Sequence, residues 1–249
     1  MAKGLKCSIE MTPVETQDGL PQFLHSRLAA YAALLTSVLT LVTFGIAIAT
    51  PPLSGPWCTD SCFSYPYADI AERFPRDYYW MYAAMFQLMV YVVLLACIYD
   101  YTVKGKKLYS LLGLCSGLIA TTILFVDYFV QVSVIQPSLM AGETDGIALL
   151  TQFNAHGAFI ALEEVGYLLM SVAFLCLVPV FSGGKLEQAV RCVFASAFAL
   201  TFLSLVLVSS LYGIQREYRF EVVAISVNWI ALIVSGILLS VVFRRSALP

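Results

Sequence analysis

Charged side chains are scarce in this sequence. Asp, Glu, Lys and Arg make up 12% of its 249 residues, against about a quarter in ordinary soluble domains. Hydrophobic residues make up 60%, more than a soluble domain of this length can bury, so the composition implies an integral membrane protein. Excess positive charge is also missing. The formal net charge is −2 and no basic patch stands out, which excludes nucleic acid as a partner. The alternating pattern of a membrane β-barrel is absent. H-E-x-x-H, a metal-ligand cluster, a nucleophile motif and a cofactor fingerprint are absent too. No metal or cofactor is therefore expected, and the balance leans against an enzyme. No inverted repeat relates the two halves of the chain, which weakens the case for a transporter.

What the chain does have is long apolar runs. Six spans stand out at roughly 28–50, 78–99, 108–136, 155–181, 191–212 and 222–243. Each reaches the roughly 20 residues a helix needs to cross about 30 Å of hydrocarbon. Lipid offers no partners to free backbone groups, so the spans should be helices. The first is preceded by Glu10, Glu15 and Asp18 and lacks a small-x-small cleavage site, so it does not read as a signal peptide. The expected fold is an all-α six-helix transmembrane bundle in residues 28–243. Residues 1–27 form an N-terminal segment and residues 244–249 a short tail.

Six spans place both termini on one side. That side carries ten Lys and Arg: Lys3, Lys6, Arg27, Lys104, Lys106, Lys107, Lys185, Arg191, Arg244 and Arg245. The other side carries four: Arg73, Arg76, Arg216 and Arg219. This bias puts both termini in the cytoplasm and the protein in the plasma or inner cell membrane. The opposite face holds eight acids against its four bases. That excess would concentrate cations mildly or serve as an ordinary solvated surface.

The first outer loop contains Cys58 and Cys62, both in the compartment where disulfides persist. The spacing allows a bond if the loop turns, and two free thiols are the alternative. "YADIAERF" reads as a short helix, and the Gly-flanked acids Glu143 and Asp145 of the second outer loop read as a turn. "SGGK" at 182–185 lacks the first glycine of a phosphate loop and follows a span rather than a strand.

The spans also contain groups that hydrocarbon disfavours. Counting 1.5 Å per residue, Glu163 lies ~12 Å below the outer end, Asp127 ~15 Å, Gln131 ~9 Å, Asn228 ~10 Å and Gln87 ~13 Å. Residues from four spans thus share one level, in the outer half of the membrane. Ionisable groups at such depth usually face the bundle interior, so a common polar cluster is expected, open to the outside. His156 and Glu163 fall on one helical stripe, with Tyr167 one turn further on. Glu164 turns about 100° away, toward Gly157, Ala161, Leu168 and Ser171. Asp127, Glu163 and Glu164 have no cation at their depth, although Arg216 or Arg219, near the outer ends of the fifth and sixth spans, could reach down; at least one acid is expected to carry a proton, shared with another acid, Gln131, Asn228 or Tyr167. The bland alternative is that these groups act as glue between helices, at about 0.6 kcal/mol each. Gly113 and Gly117 form a small-xxx-small pattern that serves packing within the chain or a homodimer.

The stretches "QFNAHGAFIALEEVGYLLMS" and "YRFEVVAISVNWIALI" resemble segments of an uncharacterised family of small polytopic membrane proteins of bacteria and archaea. The resemblance implies a fold type and no chemistry. His156, Glu163, Asn228 and Trp229 echo the residue inventory of sterol-isomerase-like membrane proteins, but span count and spacing do not match.

Three functions remain open at this point. The first is binding of a small cationic or hydrogen-bonding ligand, or a proton relay, in transport or sensing. The second is a structural, partner-binding role within the bilayer. The third is an intramembrane acid–base enzyme acting on a lipid.

Overall fold

The computed structural model describes residues 22–50 and 52–246. Most of the N-terminal segment and the end of the tail lie outside the described residues. Long helices dominate: α1 (Gln22–Ala49), α2 (Tyr79–Tyr101), α3 (Lys107–Val130), α6 (Ala158–Leu177), α7 (Lys185–Tyr212) and α8 (Tyr218–Ser246). Between α3 and α6 lie the short helices α4 (Gln136–Met140) and α5 (Ile147–Leu150). No strand occurs among the described residues. Six helices are long and apolar enough to cross a membrane.

Two boundaries depart from the sequence reading. The fourth span begins at Ala158 instead of residue 155, because residues 154–157 form a turn in which the Asn154 side chain accepts from the His156 backbone N–H at 3.0 Å. The third span continues beyond residue 136. It passes through a π-helical stretch, Gln131–Ile135, into α4 and ends at Met140. Pro137 lies just past this stretch, and having no N–H it cannot donate back into the preceding turn, a break that coincides with the wider π-helical turns.

Helices α1, α2, α3, α6 and α8 pack as a closed ring in that order, and α7 lies against the seam of α6 and α8. The apolar stretch of α7 is accordingly the least buried of the six. The α1–α8 contact depends on Gly236. A Cβ there would stand 2.6 Å from the Ala33 carbonyl oxygen and 2.8 Å from Ser37 Cβ. Ser37 Oγ donates to the Ile233 carbonyl at 2.8 Å across the same contact. Gly113 sits against Leu177 and the Ala173 carbonyl of α6, and Gly117 against Leu95 of α2. The small-xxx-small face is thus filled within the chain, so a second copy would have to use another surface.

At one end of the bundle, His25 of α1, Asp100 and Tyr101 of α2 and Ser246 of α8 line a common depression. The described ends of the first and last helices therefore lie together. At this end Glu187 of α7 accepts from the backbone N–H groups of Ser182 and Gly183 at 2.8 and 2.6 Å and from the Tyr101 hydroxyl at 2.8 Å. A phosphate-loop ligand would need those N–H groups, and the chain's own carboxylate holds them. At the other end the loop between α1 and α2 folds over α1, α2 and α8. Phe63 N–H donates to the Leu53 carbonyl at 2.8 Å, and Cys58 is disulfide-bonded to Cys62. The stretch Ala68–Arg73 forms a 3₁₀ helix.

Candidate functional site

The site is built at the loop-covered end. Glu163 lies five residues into α6, about 8 Å along its axis, and is 1% exposed. Its Oε1 accepts from the Tyr128 hydroxyl of α3 at 2.7 Å. The Tyr167 hydroxyl, one turn along α6, lies 2.9 Å from the same Tyr128 oxygen. A phenol has one proton, and that of Tyr128 goes to Glu163. The order of donation is therefore Tyr167 to Tyr128 to Glu163.

The second oxygen of Glu163 has no donor. It belongs to a carboxyl within hydrogen-bonding reach of Glu221 in the first turn of α8. Glu221 is buried as well, and its Oε2 lacks a donor. Two ionised carboxylates do not hydrogen-bond, so a contact between them needs a proton.

Aromatic rings enclose this network. Trp80 packs on Tyr128 with ring centroids 5.1 Å apart, and Trp229 lies 6.2 Å from Tyr167 and 6.3 Å from Trp80. On the loop side of these rings is a cavity of about 340 Å³, within the usual range for small-molecule sites. Glu221 lies in its wall together with Trp80, Trp229, Phe44, Ile160 and Asp77. Asp77 is 1% exposed. One of its oxygens takes a bond from Arg76 Nε at 2.7 Å, and the other, Oδ2, has no partner. Tyr218 and Ser54 close the loop side, their hydroxyls 2.7 Å apart. The Tyr218 hydroxyl also lies 3.1 Å from the Gln152 carbonyl, and the Gln152 amide nitrogen is left unpartnered in the cavity wall.

The residues expected at one level do not form one cluster. Asp127 is buried near Glu163, with Oδ2 unpartnered, and Tyr167 joins through Tyr128. The hydrogen bonds of Gln131 and Asn228 go elsewhere. Gln131 donates to the Leu150 carbonyl at 2.7 Å and accepts from Gln152 N–H at 3.0 Å, which pins the segment entering α6. Asn228 donates to Thr201 Oγ1 of α7 at 3.3 Å and to the Ala224 carbonyl at 2.8 Å, joining α7 to α8. Gln87 is buried with its amide nitrogen unpartnered. His156 is exposed in the turn before α6, so the stripe expected to link it to Glu163 does not exist. Of the two arginines able to reach down, Arg216 does so from the α7–α8 loop and donates to Glu164 Oε2 at 2.7 Å. That pairing is possible because Arg216 has a long, flexible side chain, whose distance from Glu164 a count along the axis overstates.

Sequence reasoning missed Glu221, Tyr128 and Asp77 as members of the site. Glu221 reads as an outer-face acid until α8 is seen to begin at Tyr218. Tyr128 carried a signal: it continues the buried stripe of Gly113, Gly117, Ala120 and Leu124. Comparisons of the chain with protein-family models, curated proteins and solved structures return no match. What the site can do therefore rests on its own chemistry. Among the described residues no group of His, Cys, Asp and Glu is placed to hold a metal ion.

Proposed function

We propose that this multi-pass helical protein binds a small ligand at the loop-covered end of its bundle, beside a proton held between Glu163 and Glu221. The reading places it in the plasma or inner membrane, with both termini in the cytoplasm and the cavity on the opposite side. The observation that carries it is the pair of buried carboxyls with donorless oxygens, one of which, Glu221, lines a cavity of about 340 Å³. Acids so buried in hydrocarbon are costly and mark ligand or proton sites.

The tyrosine chain extends the network inward by one turn and then ends. Beyond Tyr167, the buried side chains of α6 are chiefly Met170, Phe174 and Leu177. This favours local proton storage coupled to ligand binding, as in sensing or one step of transport, over a continuous relay across the bundle. A structural role in the bilayer is the second reading, and the helix-joining bonds of Gln131 and Asn228 favour it for those two residues.

Infrared spectroscopy of the purified protein at neutral pH tests the proton. A protonated-carboxyl band is expected that shifts in D₂O and is lost in both Glu163→Gln and Glu221→Gln. If all carboxyls prove ionised at neutral pH, the reading fails.

A further inference from the structure

Three features of the cavity bear on what it would hold. First, its unpartnered buried oxygens are acidic. Asp77 Oδ2 and Glu221 Oε2 are donorless, and both residues line the wall. Second, no Lys or Arg lines it. Arg76 pairs with Asp77 through a side chain that is 60% exposed. Arg216 is held by Glu164, and Arg219 pairs with Glu217 at 3.0 Å. Third, the rest of the wall is largely apolar and aromatic. Trp229 takes Phe44 edge-on at 5.5 Å and lies near Trp80. Aromatic faces beside carboxylates suit an organic cation, because the ring quadrupole and the acid attract the same charge.

The rim indicates how such a ligand enters. Ile48 near the end of α1 and Val222 at the start of α8 are lining residues that are also exposed, at 70% and 42%. Both are apolar and belong to spanning helices. An opening between apolar ends of spanning helices suits entry from the hydrocarbon boundary of a membrane, and Trp57 of the loop lines the same cavity.

We infer that the cavity takes an amphiphilic organic ammonium ion, which enters between the ends of α1 and α8, sets its cationic head against Glu221 and Asp77, and lays its apolar part against Trp80, Trp229 and Phe44. This names the ligand class of the proposed site and rests on that reading for the cavity alone. It does not require the proton between Glu163 and Glu221.

The test uses the full-length protein in lipid nanodiscs, read by tryptophan fluorescence. Hexylammonium is the probe and hexanol its uncharged counterpart, with empty nanodiscs subtracted. Saturable quenching by hexylammonium is expected, with hexanol weaker by about tenfold or more. Glu221→Gln should remove that preference while leaving hexanol unchanged. Ala47→Phe narrows the cavity and leaves every acid in place, so it should weaken both probes. Equal affinity for the two probes in the unaltered protein would assign the cavity to neutral amphiphiles and overturn the inference, whether or not the variants fold. Quenching that never saturates, or that Ala47→Phe leaves unchanged, would overturn it as well. Loss of the infrared band with cation preference intact removes the proton reading alone. The reverse result removes the ammonium ligand and leaves the proton.

Discussion

Replacing Tyr128 with Phe removes one oxygen atom and little else, which makes it the sharpest probe of the network. Tyr128 is fully buried and is the donor to Glu163 Oε1 at 2.7 Å. Without it Oε1 of Glu163 loses its donor, and the carboxyl keeps only the proton proposed between it and Glu221. A hydrogen bond to such an acid contributes about 1.5–3 kcal/mol. Tyr167→Phe removes a different bond, the phenol–phenol contact at 2.9 Å, and leaves Glu163 its donor. Neutral side-chain bonds in membrane bundles average about 0.6 kcal/mol. For a chain of this length roughly 2–4 °C follows each kcal/mol. Thermal unfolding in detergent should therefore fall by about 3–12 °C for Tyr128→Phe and by about 1–3 °C for Tyr167→Phe. The ordering matters more than the values. Equal shifts, or a larger one for Tyr167→Phe, would refute the claim that the Tyr128 proton is directed at Glu163.

Other predictions follow from the packing and the ion pair. Arg216→Ala should destabilise the fold by about 1 kcal/mol or more by leaving Glu164 half-buried and unpaired, and adding Glu164→Gln should recover much of that loss in a double-mutant thermal cycle. Gly236→Val should separate α1 from α8, costing about 1–3 kcal/mol, which would appear as reduced monodisperse yield, while Gly45→Ala, where no atom lies within 4 Å of the added carbon, should behave as the unaltered protein. Gln131→Ala should free the Leu150 carbonyl and the Gln152 N–H, and limited proteolysis should then cut sooner between residues 141 and 157. Gly55→Ala should disturb the cavity lid, because the residue has φ +71° and its Cβ would run into the Tyr218 ring; a weaker hexanol response in the nanodisc assay would record it.

The sequence made the helices legible because length and hydropathy are one-dimensional properties. All six apolar runs reappear as helices of spanning length. The site was legible in depth and poorly so in direction. Counting 1.5 Å per residue puts Asp127, Glu163, Gln131, Asn228 and Gln87 at one level, but which way each points around its helix depends on neighbours that counting does not supply. Asn228 faces α7, Gln131 faces the α5 segment, and Glu163 faces α3 and α8. Glu221 was hidden for another reason: its importance depends on where α8 starts, and no capping signal in "GIQREYRF" marks Tyr218 as that start. The organic ligand class proposed for the cavity draws mainly on Trp80, Trp229 and Asp77, none of which looks unusual when read singly.

The inward end of the tyrosine chain has a consequence of its own. Met170, Phe174 and Leu177 are buried, and Phe174 stacks on Phe194 of α7 with centroids 5.0 Å apart. Below Tyr167 the bundle beside α6 is thus largely hydrocarbon, broken by separate hydroxyls such as those of Tyr91 and Ser171. Any charge that crosses the protein must wait for helices to slide or tilt, so flux would be metered by the protein's own breathing and stay far below that of an open pore.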